Sequence, residues 1–195
     1  QDPDDQIVTD KVWHELAFGL ESLGVEQKTM RLRVGEMASY FGIQNWFHRQ
    51  TSELSGGQKQ LLNLASVMAM QPEILILDEP TAGLDPVGRE DILRNILDYR
   101  AAKNATIMMV SHSMNDMARL ADRLFVMNGG RLVMDGTPAE VFRDAASLVD
   151  MGLDVPEITR VFLQLQKLGL PVAPVYSMEQ AVAELKKLKG ESGHA

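Results

Sequence analysis

The chain has 195 residues, 45% hydrophobic and 24% charged, enough for one sizeable core with a small appendage. Its formal net charge of -8, without a basic stripe, argues against broad electrostatic binding to nucleic acid, and zero cysteines exclude disulfides and thiolate metal sites. No apolar stretch approaches the roughly 20 residues needed to cross a bilayer, and the 12 methionines fall mostly at apolar helix or strand positions, where they act as adaptable core filler.

The first third reads as helical. Val12, Leu16, Leu20 and Leu23 recur at helical spacing ahead of Gly24, which suits a helix stop. A second run from Glu26 to Tyr40 carries Met30, Val34, Met37 and Tyr40 on one side, the pattern of an amphipathic helix. After "FGIQNWFHRQT", Ser55 is placed to cap a third helix that carries Leu61, Leu62, Ala65, Met68 and Ala69, its hydroxyl able to accept from a first-turn N–H.

From Glu73 the pattern changes to alternating strands and helices. Ile74 to Leu77 and Ala105 to Val110 are continuous aliphatic runs, of the kind buried on both faces in a parallel sheet. Between them Ile92, Leu93, Ile96 and Leu97 mark an amphipathic helix, which completes a strand–helix–strand unit. "LFVMNGGRLVMD" reads as a hairpin turned at Asn128-Gly129-Gly130, residues that tolerate the positive φ a tight turn requires. Thr137, Pro138 and Glu140 then form a cap, first helical position and capping box. Beyond Asp150 a separate small unit is expected, with a helix from Pro156 to near Gly169 and a second capping box of Ser177 and Gln180 ahead of "AVAELKKLK" and Gly190.

Three places can carry chemistry. Asp78 and Glu79 follow four aliphatic residues, which puts two carboxylates at the carboxyl end of a core strand, where open α/β sheets bind ligands. One can support Mg²⁺ and its neighbour can polarise an attacking water, although the same pair also suits a solvated turn. Ser55-Gly56-Gly57-Gln58 offers backbone N–H groups without β-carbons at the positive end of a helix dipole, where an anion can dock; an ordinary N-cap after a loop is the alternative. His112, just past "TIMMV", can donate to a phosphate oxygen or serve as a structural imidazole.

Taken in order and spacing, these pieces resemble the ATP-binding subunits of ABC transporters. "LSGGQ" (Leu54 to Gln58) matches the family signature, "ILILDEP" (Ile74 to Pro80) the Walker B strand with its following glutamate, "AGLD" (Ala82 to Asp85) the D-loop, and "SHS" around His112 the switch loop, while Gln1 stands where the Q-loop glutamine does. The stretch "QDPDDQIVTDKVWHELAFGLESLGV" and the tail "MGLDVPEITRVFLQLQKLGLPVAPVYSMEQAVAEL" are similar to the Q-loop region and small carboxyl-terminal extension of energy-coupling factor (ECF) transporter ATPases. "SHSM" and "VMDGTP" lean toward the second of the two paralogous ATPases in such systems. Two departures stand out: Leu61 occupies a position where the family commonly has arginine, and no glycine-rich loop with Lys-Ser or Lys-Thr occurs in the 195 residues.

The resemblance implies an α/β, P-loop NTPase-type core, incomplete at its amino end, with a helical subdomain and a small extension: residues 1–72 the Q-loop and signature subdomain, 73–150 the later part of the ATPase core, 151–195 a dimerisation extension. It implies ATP and Mg²⁺ as cofactors, with Asp78 and Gln1 toward the metal, Glu79 polarising water and His112 sensing the γ-phosphate. Gln1, Ser55, Gly56, Gly57, Gln58 and Asp85 would contact nucleotide, those of the signature in the opposite subunit of a head-to-tail dimer. Implied partners are a second, like or paralogous ATPase, a transmembrane coupling subunit and a substrate-capture subunit, at the cytoplasmic face of the membrane. The expected role is ATP-driven uptake of a vitamin or transition-metal ion, with the 195 residues alone inactive in hydrolysis. Two alternatives stay open: a non-catalytic module that docks on a partner, and an ABC ATPase of repair or translation.

Overall fold

The computed structural model describes residues 3–191. Two compact units divide the chain, the first ending at Val110 and the second beginning at Ser111; this division by packing cuts elsewhere than the functional segments expected above.

The first unit opens with α1 (Pro3–Gln6), α2 (Val12–Ser22), α3 (Gln27–Tyr40) and α4 (Gly56–Ala69). The apolar spacing seen in the sequence becomes one core: Val12, Leu16 and Leu20 of α2, Val34 and Ala38 of α3, and Leu62, Ala65 and Met68 of α4 are buried together. Gly24 ends α2 with φ +68. The Val25 N–H reaches back to the Leu20 carbonyl at 3.0 Å, the longer bond of a Schellman turn that favours glycine.

Polar side chains also lie inside this helical core, Glu15 and Thr51 among them. Glu15 is buried, and its Oε2 accepts from the Val8 and Thr9 N–H groups at 3.1 and 2.8 Å. The buried Thr51 hydroxyl donates to the Thr9 carbonyl at 2.8 Å, and the Thr51 N–H to the Asp10 carbonyl at 3.0 Å. Residues 8–10 are thereby latched from two sides, because each buried polar atom needs a partner and these are the ones within reach.

Strands β1 (Ile74–Asp78) and β2 (Thr106–Val110) pair in parallel with Ile74 opposite Thr106 and Asp78 opposite Val110. Helix α5 (Pro86–Lys103) connects them and buries Ile92, Leu93, Ile96 and Tyr99. The expectation that both strands are covered on both faces needs correction. Leu75 is buried, and Leu77 and Ile107 pack on the core from that face, whereas Ile74, Ile76, Met108 and Val110 on the other face are 64%, 67%, 51% and 54% exposed. Alternation across the pleat puts these four on one side, and among the described residues no element covers it.

In the second unit α6 (Met114–Leu120) precedes the hairpin of β3 (Leu124–Asn128) and β4 (Arg131–Gly136). Gly129 and Gly130 turn it with φ +55 and +75, the positive pair of a two-residue hairpin loop. The cap of α7 (Pro138–Arg143) is reciprocal between Thr137 and Glu140, as expected. Then come α8 (Ala145–Asp150), α9 (Glu157–Lys167) and α10 (Met178–Glu191), with Phe162, Val172, Val175 and Ala181 as a separate small core. Two details depart from expectation. The Ser177 hydroxyl accepts from the Gln180 N–H at 3.3 Å, but the Gln180 side chain returns to the Tyr176 N–H at 3.0 Å rather than to that of Ser177, and α10 runs through Gly190 to Glu191.

Candidate functional site

The signature turn is built by helix capping. Ser55 precedes α4, its Oγ accepts from the Gln58 N–H at 3.4 Å, and Gln58 Oε1 accepts from the Ser55 N–H at 3.0 Å. A hydroxyl carries one donor besides its acceptor lone pairs, so the Ser55 O–H stays able to donate outward. Gly56 and Gly57 fill the first two helical positions and are exposed. Neither has positive φ, a β-carbon at Gly56 would meet nothing within 4 Å, and one at Gly57 would meet only Leu84 Cδ2 at 3.4 Å. Packing within the chain therefore explains neither glycine. What they leave is bare N–H groups at a helix start, a surface suited to a close-approaching anion.

The carboxylate end is built differently. Asp78 closes β1 and is exposed, in register with Val110. Glu79 follows with φ +46, a left-handed conformation that strains a residue bearing a β-carbon by about 1–2 kcal/mol. Backbone bonds hold it there: its N–H donates to the Val110 carbonyl at 2.9 Å, and its carbonyl accepts from the Ala82 N–H at 3.1 Å. Such strain persists only where the surroundings fix it, and it concentrates at functional positions. A single carboxylate such as Asp78 fits a Mg²⁺ ion that takes its other oxygens from phosphate and water. Among the described residues, no group of three or more His, Asp or Glu could hold a metal by itself.

A cavity of about 480 Å³ joins the signature turn to the segment after Glu79. Ser55, Gly57, Gln58 and Leu61 line one side; Gly83, Leu84 and Asp85 line the other with the start of α5. Asp85 caps α5, its Oδ1 accepting from the Gly88 N–H at 2.7 Å. Asp78 and Glu79 are not among the lining residues. The structure thus brings Ser55, Gly57, Gln58 and Asp85 together and leaves the two carboxylates at the strand end outside that group. His112 belongs to the second unit, exposed, between Ser111 and Ser113, whose Oγ accepts from the Asp116 N–H to cap α6. Gln1 lies outside the described residues.

Two residues beside the signature went unremarked in the sequence. Lys59 pairs with Asp4, which ties the first turn of α4 to α1. The Gln60 side chain donates through Nε2 to the Pro80 carbonyl at 2.9 Å. Twenty residues separate Gln60 from Pro80, and no local pattern announces the bond.

A family model described as ABC transporter matches residues 4–82, and an AAA domain model matches residues 48–117. The chain is 42% identical over 193 residues to the energy-coupling factor transporter ATP-binding protein EcfA2 of Caldanaerobacter subterraneus, covering 97% of this chain and 68% of that protein. The chain belongs to the ECF transporter ATP-binding proteins of the ABC family. The energy-coupling factor transporter ATP-binding protein EcfA1 of Clostridium perfringens is 38% identical, covering 97% of this chain and 67% of its own length. The solved structure of cbiO1 from Clostridium perfringens, described as part of the ABC transporter complex cbiONQ, superposes with a TM-score of 0.67 at 34% identity, covering 86% of this chain and 63% of that one. The P-loop NTPase fold of the ECF family is therefore this chain's fold, and the chain spans about two thirds of the length of the relatives it matches.

Proposed function

We propose that these residues form the signature, Walker B and carboxyl-terminal parts of an ATPase that drives an ECF-type importer of a vitamin or transition-metal ion. The functional segments are 1–72, 73–150 and 151–195, the last a dimerisation extension. The observation that carries the reading is the contrast at the site. Gly56 and Gly57 are bare for no reason within the chain, while Glu79 is held strained at a strand end outside the cavity that the signature lines. That separation supports a composite site, in which Ser55, Gly56, Gly57 and Gln58 meet the γ-phosphate of a nucleotide carried by the opposite subunit.

Within its own subunit, Asp78 supports Mg²⁺, which supplies charge neutralisation at the phosphates. Glu79 accepts a proton from the attacking water, His112 faces the γ-phosphate, and Gln1 and Asp85 complete the nucleotide surround. The protein acts peripherally at the cytoplasmic face of the membrane, beside a second ATPase, a transmembrane coupling subunit and a substrate-capture subunit. No helix among the described residues is long and apolar enough to cross a membrane. The 195 residues contain no lysine-bearing phosphate loop, so alone they should not turn over ATP.

Mixed dimers of the whole ATPase test this. Glu79→Gln keeps the size of the side chain but removes its basicity, so hydrolysis should fall by about 10²–10⁴-fold with ATP binding retained. Gly57→Asp places a carboxylate against the phosphate, so ATP-driven dimer closure should fail while the separate subunit still binds ATP. A dimer of one Gly57→Asp and one Glu79→Gln subunit then carries both lesions in one composite site and neither in the other, and should retain hydrolysis at the intact site. Loss of nucleotide binding by a folded Gly57→Asp monomer would show the signature acting within its own subunit and sink the composite-site reading.

A further inference from the structure

We infer that Gln60 is a positioning residue for Glu79, acting through the Pro80 carbonyl. The inference rests on the reading of Glu79 as the group that accepts a proton from water, and deepens it by naming what keeps that carboxylate in place. Three hydrogen bonds bracket the turn that carries Glu79: its own N–H to Val110, its carbonyl from Ala82, and the Pro80 carbonyl from Gln60 Nε2 at 2.9 Å. The first two run backbone to backbone and survive almost any substitution. The third depends on a single side chain. It comes from the first turns of α4, the helix that begins at the signature.

The geometry of this bond leaves little freedom. Pro80 is buried and offers no N–H of its own, and its carbonyl can only accept, so the amide nitrogen of Gln60 must face it. Glu79 sits one residue earlier at φ +46, a conformation that relaxes unless its neighbours fix it. The turn after Glu79 is therefore tied to α4 at Pro80, and a displacement of α4 shifts Glu79. A general base acts only within hydrogen-bond reach of its proton, and a misplacement of about 1 Å can cost about 10²-fold in rate.

The test uses the whole ATPase in its dimeric complex with three variants. Gln60→Met keeps the length and removes the donor, Gln60→Lys restores a donor that reaches the carbonyl, and Glu79→Gln removes the base. Gln60→Met should lower kcat about 10- to 100-fold while leaving the KM and equilibrium binding of ATP unchanged, the mark of an interaction realised in the transition state. Gln60→Lys should restore most of the rate. In the Glu79→Gln background, Gln60→Met should add no further loss. Carbon chemical shifts of Glu79 and hydrogen exchange of the Ala82 amide should leave their left-handed, protected values in Gln60→Met and return in Gln60→Lys.

Unchanged kcat in Gln60→Met beside an inactive Glu79→Gln overturns this inference and leaves the role of Glu79 standing. A loss that Gln60→Lys does not rescue, accompanied by a lower melting temperature, overturns it too, since Gln60 would then serve the fold alone. Full activity in Glu79→Gln overturns the proposed base, and the role of Gln60 falls with it.

Discussion

The helical core and the two sheets solve the same burial problem to different degrees. Val12, Leu16 and Leu20 meet Leu62, Ala65 and Met68 from the facing helix, all of them sealed from solvent. Strands β1 and β2 cover one face only, and the hairpin likewise leaves Phe125, Met127 and Leu132 more than half exposed. Exposed apolar positions contribute little to the described fold because their surface is never removed from water. A buried aliphatic stripe and an uncovered one look alike in composition and differ in energetic weight.

The largest expected effect therefore separates two aliphatic residues of similar size. Leu16→Ala should lower unfolding free energy by about 2–5 kcal/mol, the usual range for truncating a fully buried leucine. Ile76→Thr, on the uncovered face of β1, should change it by no more than about 0.5 kcal/mol and reduce aggregation by breaking an exposed apolar row. Urea titrations of the two variants, followed by circular dichroism, check the contrast. Equal losses would mean that the outer face of the sheet is covered in solution.

Next in size is the polar latch inside the helical core. Glu15→Leu fits the apolar surroundings but leaves the Val8 and Thr9 N–H groups without the acceptor they have now. Losing the hydrogen bonds of these part-buried N–H groups to a charged acceptor costs about 1–3 kcal/mol. Hydrogen exchange should quicken first at Val8 and Thr9, while amides in the middle of α4 change only through global stability. A uniform rise across the unit would show instead that Glu15 acts through overall packing.

Much of this architecture was legible because it rests on short-range chemistry. Thr137 with Glu140, Asn128-Gly129-Gly130 and the apolar spacing of α2 each encode a local geometry that later packing agrees with. The uncovered face of β1 was not legible, since Ile74 to Leu77 is aliphatic at every position and the run itself cannot say which face is covered. Glu15 was missed although it carried a signal, a carboxylate on the stripe between Val12 and Leu16. At the site, "LSGGQ" and "LDEP" picked out the elements by pattern, and capping chemistry explains why Ser55 opens a helix. Positions that depend on distant partners left no trace: the Gln60–Pro80 bond and the shared cavity of signature and D-loop arise only when α4 lies beside the turn after β1.

The smallest expected effect concerns the hairpin and what supplies stability where apolar burial is thin. Asp135 of β4 accepts from Arg123 Nε and Nη2 at 2.7 and 2.8 Å, and this hydrogen bonding holds its carboxyl below the ordinary range despite some opposing desolvation. The backbone N–H of Thr137 does the same for Glu140, and that of Ala173 for Glu184. All three lie in the second unit. A folded pKa below the unfolded value, about 3.9 for aspartate, stabilises the folded state above that value, and the contribution disappears as pH falls through the folded pKa. Acidification from neutral pH to below about pH 4 should therefore weaken the second unit, with Asp135 as one contributor. Because the pair is solvent-exposed, its share should shrink with added salt. Asp135→Asn removes the titration while keeping the shape, so its stability should fall slightly at neutral pH and vary less across the acid range than that of the unmodified chain. Carboxyl-carbon chemical shifts identify the group and unfolding midpoints measure the effect. A midpoint difference between the two proteins that stays constant from neutral to acid pH would assign the hairpin's stability to its turn and backbone ladder rather than to the Arg123–Asp135 pair.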